Sequence, residues 1–294
     1  MVGGTKQIDE VVLREARPED AEAVAEIVFN AFGQIHDHHR FERDFPELAL
    51  ARGLIEVWIG HPKVWGVVAE IQGKIVGSNF LDERDEIRGV GPITVDPGVQ
   101  NAGTGRKLMG AVLERGRGAR GIRLLQDAFN MGSLSLYEKL GFRVTDGCVM
   151  MSGEPTAEPA SDMVVRPLSE DDLEECGRLC ERVHGFARTG ALADAMRGMN
   201  PHVGLRDGRI VAYASALNFW PMAHGVAETD EDMQALLAGG AATAGEPIGL
   251  LVPLESELFP WALDAGLRAL KPMNVMSMGF QREPQGAWFP SVLY

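Results

Sequence analysis

The 294-residue chain is 45% hydrophobic and 24% charged, with a formal net charge of −14, a composition that supports packed cores and suggests two domains at ~150 residues each. Most of the surplus acid lies after residue 151, which disfavours nucleic acid as the main partner, because phosphate contacts need a basic surface; a cationic amine would suit such a field, and solubility alone explains the charge equally well. No apolar run reaches the ~18 residues of a membrane span, the N-terminus MVGGTKQIDEVV lacks the basic start and apolar core of a signal peptide, and three cysteines (Cys148, Cys176, Cys180) make a disulfide framework improbable.

Val11 to Ala16 reads as a short strand. Arg17-Pro18-Glu19-Asp20 then starts a helix, with early acids and a proline near its first turn, and Val24, Ile27, Val28, Ala31 and Phe32 form its apolar stripe. Residues 34–46 are polar and histidine-rich and are expected to form a loop. Glu47 to Ile59 follows as a second helix, stopped by Gly60-His61-Pro62. Strands over 64–71 and 74–81 turn at Gln72-Gly73 as a hairpin. Gly89 to Val95 is a further strand, which Gly91-Pro92 interrupts as a bulge would and Asp96-Pro97-Gly98 stops. Next come Gln100-Asn101-Ala102-Gly103-Thr104-Gly105 and an amphipathic helix marked by Leu108, Met109, Val112 and Leu113. Gly121 to Phe129 is the next strand and Ser133 to Leu140 a helix with Gly141 as its C-cap. Phe142 to Val144 and Cys148 to Met151 finish the sheet. Residues 152–162, SGEPTAEPASD, hold two prolines and no apolar side chain larger than alanine, and are expected to be a linker.

Beyond the linker the pattern repeats. LREARPEDAEAV (from Leu13) lines up with VRPLSEDDLEEC (from Val165), IQGKIV (from Ile71) with RDGRIV (from Arg206), KLGFRV (from Lys139) with DAGLRA (from Asp264), and CVMMSG (from Cys148) with NVMSMG (from Asn274). Four matches in one order make a tandem duplication the best account, with domains over 1–151 and 163–294.

The glycine-rich turn carries the chemistry. Gly103 and Gly105 have no Cβ, so the N–H groups of the turn can approach an anion closely, and the helix start behind them adds a partial positive charge. The spacing is neither that of a P-loop nor that of a dinucleotide fold. Gln-x-x-Gly-x-Gly behind GVGPITVDP instead resembles the acetyl-CoA signature of the GCN5-related N-acetyltransferase (GNAT) superfamily. Asn130 to Phe142, NMGSLSLYEKLGF, resembles the family's other signature, with Ser133 where alanine is usual.

The resemblance implies a mixed α/β fold of two tandem GNAT-like domains, each a twisted, mostly antiparallel sheet flanked by helices. It also implies acetyl transfer from acetyl-CoA (coenzyme A) to a primary amine by direct attack in a ternary complex. In that reading the backbone of Gln100, Asn101, Ala102, Gly103, Thr104, Gly105 and Arg106 holds the pyrophosphate. Ile93, Thr94 and Val95 pair with the pantetheine arm, Asn130 and Ser133 line its other side, and Tyr137 is the general acid. A phenol of pKa ~10 is protonated at neutral pH and able to donate. No general base is evident; Asp82, Glu83, Asp127, a water-relayed group or direct proton loss to bulk solvent are the options.

Acceptor-site candidates are Phe29, Phe32, Trp58, Trp65 and Phe80. His36-Asp37-His38-His39 has no second ligand cluster at a suitable spacing, so no metal is expected. In the second copy Asp230, Glu231 and Asp232 stand where phosphates would sit and Ala262 stands in the place of Tyr137, which marks that copy as degenerate. The alternative to an enzyme is a non-catalytic acyl-CoA-binding sensor or scaffold. The partners expected are a small-molecule or peptide amine, with no membrane and no nucleic acid; a homodimer is left open, and the chain is read as cytoplasmic.

Overall fold

The computed structural model describes residues 10–99 and 103–293. Along the chain the first run of elements is β1 (Val12–Glu15), α1 (Ala21–His39), α2 (Leu48–Gly60), β2 (Val64–Ile71), β3 (Lys74–Asp82), β4 (Ile87–Val90), β5 (Thr94–Val95), α3 (Thr104–Arg115), β6 (Gly121–Asp127), α4 (Met131–Lys139) and β7 (Arg143–Gly153). The second is β8 (Val164–Pro167), α5 (Leu173–His184), α6 (Thr189–Ala195), β9 (His202–Arg206), β10 (Arg209–Ala214), β11 (Gly225–Ala227), α7 (Asp230–Ala244), β12 (Ile248–Pro253), α8 (Leu258–Asp264), β13 (Arg268–Gly279) and β14 (Ala287–Phe289). This is the mixed α/β class expected from the sequence. The chain divides into two compact units, one of residues 1–82 and 90–117, the other of residues 83–89 and 118–294.

In the first unit β1, β2 and β3 pair antiparallel in that order, and β5 pairs antiparallel with β3. Val24, Val28, Ala51, Ile55, Val67, Phe80, Leu108, Met109 and Val112 are buried, so each helix commits one apolar stripe to a core. Gly77 on β3 is fixed by space. A Cβ there would lie 2.7 Å from the Thr94 carbonyl oxygen and 3.1 Å from Leu108 Cδ1, so only glycine lets β5 and α3 close on the sheet.

Two expectations need correction. Residues 34–39 are not loop: α1 runs on to His39 and ends at Arg40, whose φ of 62° is left-handed. His36 is buried, its Nδ1 is 2.7 Å from the Phe32 carbonyl oxygen, and its Nε2 is 3.4 Å from Asp44 Oδ1. Polar composition suggested a loop, but burial of the imidazole, with the Phe32 carbonyl one turn back and Asp44 beyond the helix as its partners, favours continuing the helix through it. The strand expected over 89–95 is likewise two short strands, with Gly91-Pro92 between them.

In the second unit β4 pairs parallel with β6. A run of antiparallel strands follows in the order β6-β13-β7-β12. Strand β13, from the end of the chain, therefore lies between β6 and β7, and β7 is one continuous strand where two short ones were expected. A five-stranded sheet, β14-β11-β10-β9-β8, completes the unit. Residues 152–162 are held as well. Thr156 N donates to the Ala265 carbonyl at 2.9 Å, and Ala157 and Ala160 pack on the core that includes Met151, Leu236 and Leu250. Low hydrophobicity mimicked a free linker, but its alanines and backbone found partners.

Two local features are alike in the two halves of the chain. Arg14 Nη1 and Nη2 meet the two oxygens of Asp20 at 2.6 and 2.8 Å, and Arg166 meets Asp172 with the same two distances. The hairpins at Gln72-Gly73 (φ 51° and 76°) and Asp207-Gly208 (φ 50° and 76°) share one left-handed geometry, that of a type I′ turn.

Candidate functional site

The start of α3 lies in the first unit. Gly103 enters it at φ +76° in the N-cap position, no side chain among the described residues caps the helix, and its first turn holds no acid. The leading N–H groups of an α-helix have no intrahelical acceptor, so this end presents donors and a partial positive charge beside the exposed Arg106. Thr104 is buried, and its Oγ1 has no hydrogen-bond partner among the described residues. Gln100, Asn101 and Ala102 lie outside the described residues. Just before the turn, Val95 and Thr94 on β5 stand opposite Gly77 and Ser78 of β3, and Thr94 Oγ1 is 3.3 Å from Ser78 Oγ; Ile93 is half-buried beside them. The first unit thus brings the 93–95 segment and the 103–106 turn together.

The corresponding start of α7 is built the opposite way. Thr229 caps it, its Oγ1 accepting from Asp232 N at 3.1 Å, and Asp230, Glu231 and Asp232 fill the first turn. Asp232 Oδ1 takes Arg206 Nε at 2.6 Å. The donors there are partly satisfied and the field is anionic, so a phosphate is repelled rather than attracted.

In the second unit α4 carries the other predicted residues. Asn130 is its N-cap, with Oδ1 accepting from Ser133 N at 3.2 Å, while Ser133 Oγ donates to the Asn130 carbonyl at 3.0 Å. Gln126 Nε2 joins them, 2.8 Å from the Asn130 carbonyl and 3.0 Å from Ser133 Oγ. Tyr137 is 6% exposed and meets Phe142 edge-on at 6.3 Å. Burial first, and then the negative charge of Asp127, push its phenol well above the usual pKa, so it is protonated at any physiological pH. At the equivalent helix of the second half, Ala262 is fully buried and offers no proton.

Sequence reasoning missed the supports of this helix. Asn274 Nδ2, on β13, donates to Gln126 Oε1 at 2.8 Å, and Lys271 Nζ reaches Asp127 Oδ1 at 2.8 Å. No local pattern announces either pair, because the partners are more than 140 residues apart. Asp127, one of the base options, is thereby held in a buried ion pair. Among the acceptor-site aromatics, Trp58 and Phe80 are buried core, whereas Phe29 and Trp65 lie under the Arg43 and Arg115 guanidinium groups and Phe32 packs against Phe45.

Comparison with known proteins places this arrangement of elements among solved folds. Residues 61–144 match the acetyltransferase (GNAT) domain family. No curated protein matches the sequence. The fold of the whole chain is similar to that of a candidate acetyltransferase from Pyrococcus horikoshii (16% identity, TM-score 0.75, covering 100% of this chain and 98% of that one). It is also similar to a GCN5-related N-acetyltransferase from Sphaerobacter thermophilus (14%, TM-score 0.60, 93% and 96%). A third likeness is to the glucosamine N-acetyltransferase region of a fungal multi-domain β-N-acetylglucosaminidase (15%, TM-score 0.66, 92% and 38%). Among the described residues no helix is long and apolar enough to cross a membrane.

Proposed function

We propose that this chain transfers an acetyl group from acetyl-CoA to a primary amine, by direct attack in a ternary complex. The observation that carries the reading is the contrast between the two helix starts: α3 is entered through glycine, uncapped and free of acids, whereas α7 is capped and triply acidic. Acetyl-CoA supplies an activated acyl group and an anionic pyrophosphate. The N–H groups from Gly103 to Arg106 are suited to the pyrophosphate, and the backbone of Ile93 to Val95 to the pantetheine amides; Gln100 to Ala102 complete the motif. Asn130 and Ser133 shape the start of α4. Tyr137, kept protonated by its surroundings, is the acid that hands a proton to the departing thiolate.

In this reading residues 1–151 hold the active copy and residues 163–294 a degenerate one, joined through 152–162. The acceptor is a small-molecule or peptide amine. Thiol release from acetyl-CoA, followed across a panel of polyamines, amino sugars and peptides, tests the proposal. One or more amines should accelerate release, and Tyr137→Phe should lower kcat by about 10²-fold, the usual scale of general acid catalysis, while acetyl-CoA still binds. Absence of binding and of thiol release would overturn it. Function that survives Tyr137→Phe undiminished would point to a sensor instead.

A further inference from the structure

Strand β13 brings a lysine into a row of apolar side chains. Met273, Val275 and Met276 on the same strand are buried, and Lys271 is only 3% exposed. The β13–β7 register shifts between Ala269 and Lys271, an irregularity of the kind that re-aims a side chain. The ammonium is met by Asp127 Oδ1 at 2.8 Å and lies 4.8 Å from the centre of the Trp220 ring. A buried ion pair is weak evidence of stabilisation, because desolvating both charges offsets most of their attraction. A role in positioning accounts better for a cation at this point.

What the pair holds is the turn into α4. Asp127 ends β6, its carbonyl accepts from Asn130 N at 2.8 Å, and Ala128 N donates to the Pro272 carbonyl, next to Lys271, at 3.1 Å. Asn274 on the same strand fixes Gln126, which bonds both Asn130 and Ser133. The β6–α4 turn and the first turn of the helix bearing Tyr137 are therefore tied to β13 at two side chains and one backbone bond. The phenol also feels Asp127 directly, since that carboxylate is second only to burial in opposing its ionisation. A general acid must carry negative charge as its proton leaves, so an unbalanced carboxylate nearby would work against it.

We propose that Lys271, supplied by the half of the chain that lacks the acetyl-CoA features, is a positioning residue for Tyr137, acting through its ion pair with Asp127. The proposal rests on the acetyl-transfer reading above, and it gives the second half a part in the chemistry of the first. The test compares wild type, Lys271→Arg, Lys271→Met and the double variant Asp127→Asn/Lys271→Met in the full chain, with acetyl-CoA and whichever amine of the panel turns over fastest.

Lys271→Arg should retain most of kcat. Lys271→Met should lose about tenfold or more, with the KM for acetyl-CoA within about twofold, because the interaction is asked for in the transition state and not in binding. The double variant, which removes the Asp127 charge together with that of Lys271, should fall between Lys271→Met and wild type, the coupling expected of residues in contact. Wild-type kcat in Lys271→Met, or a double variant no more active than it, would overturn the proposal. If Lys271→Met does not fold, the double variant decides: kcat below wild type with KM kept supports the role, and wild-type kcat overturns it. An active wild type that is impaired by Tyr137→Phe but indifferent to Lys271 sinks this inference alone. A wild type inactive with every amine sinks the acetyl-transfer reading and this one with it.

Discussion

Asp20 and Asp172 occupy matching places at the starts of α1 and α5. Each accepts two hydrogen bonds from an arginine and one from a backbone N–H, of Arg17 at 2.7 Å and of Ser169 at 2.8 Å. The bidentate Arg166 bond, ahead of any other cause, holds the Asp172 carboxyl well below the usual carboxylate range, and Arg14 does the same for Asp20. Both folded pKa values are depressed, so the stability these groups contribute is present above ~3.9 and lost as pH falls below it. Asp172→Ala should cost about 1–2 kcal/mol at neutral pH, the scale of a lost N-terminal cap. The difference from wild type should shrink towards pH 3 in urea melts.

His184 and His224 act earlier on the acid limb. Burial first, then Arg123 and Arg188 beside His184 and Arg188 and Arg84 beside His224, hold both imidazoles well below their usual pKa. Both are neutral in the fold, and the unfolded chain takes up their protons first. Stability should therefore decline as pH falls through ~6.5, with a slope of about 1.4 kcal/mol per pH unit for each. His224→Leu should reduce that slope, read from denaturant midpoints between pH 7 and pH 5.

At the scale of elements, the two helix starts carry the functional contrast, and Gly103 tests it cleanly. Among the described residues, no heavy atom outside its chain neighbours and the helix's own backbone lies within 4 Å of where a Cβ would stand, so the Cβ of Gly103→Val has room. The substitution acts on the backbone alone: φ +76° costs a β-branched residue at least ~1 kcal/mol. We expect a lower affinity for acetyl-CoA by calorimetric titration with little change in Tm. Unaltered affinity would remove the turn from the binding site.

At the scale of the whole molecule, β13 between β6 and β7 means that the two halves share one run of strands. A chain ended at residue 162 would lose β13 and expose the edges of β6 and β7, a template for aggregation. Such a fragment should be recovered aggregated or unfolded by circular dichroism and gel filtration, and co-expression with residues 163–294 should restore a folded complex. On the acetyl-transfer reading, titration of the intact chain with acetyl-CoA should give one site, at the acid-free start of α3; two sites would mean that the acids of α7 are no barrier.

Local chemistry was written in the sequence. The Gln72-Gly73 and Asp207-Gly208 turns, the glycine-led start of α3, the acid-led start of α7 and the absence of a phenol at Ala262 follow from single residues whose backbone or charge preferences act within a few positions. The length of α1 did not follow, because His36 is stabilised by Asp44 and the Phe32 carbonyl, which polarity alone does not reveal. Nor did the site's supports. Lys271 with Asp127 and Asn274 with Gln126 exist only because β13 pairs with β6, and an apolar strand carries no label naming its partner. Strand choice is settled by packing summed over the whole sheet, so the tertiary structure alone placed Lys271 beside Asp127.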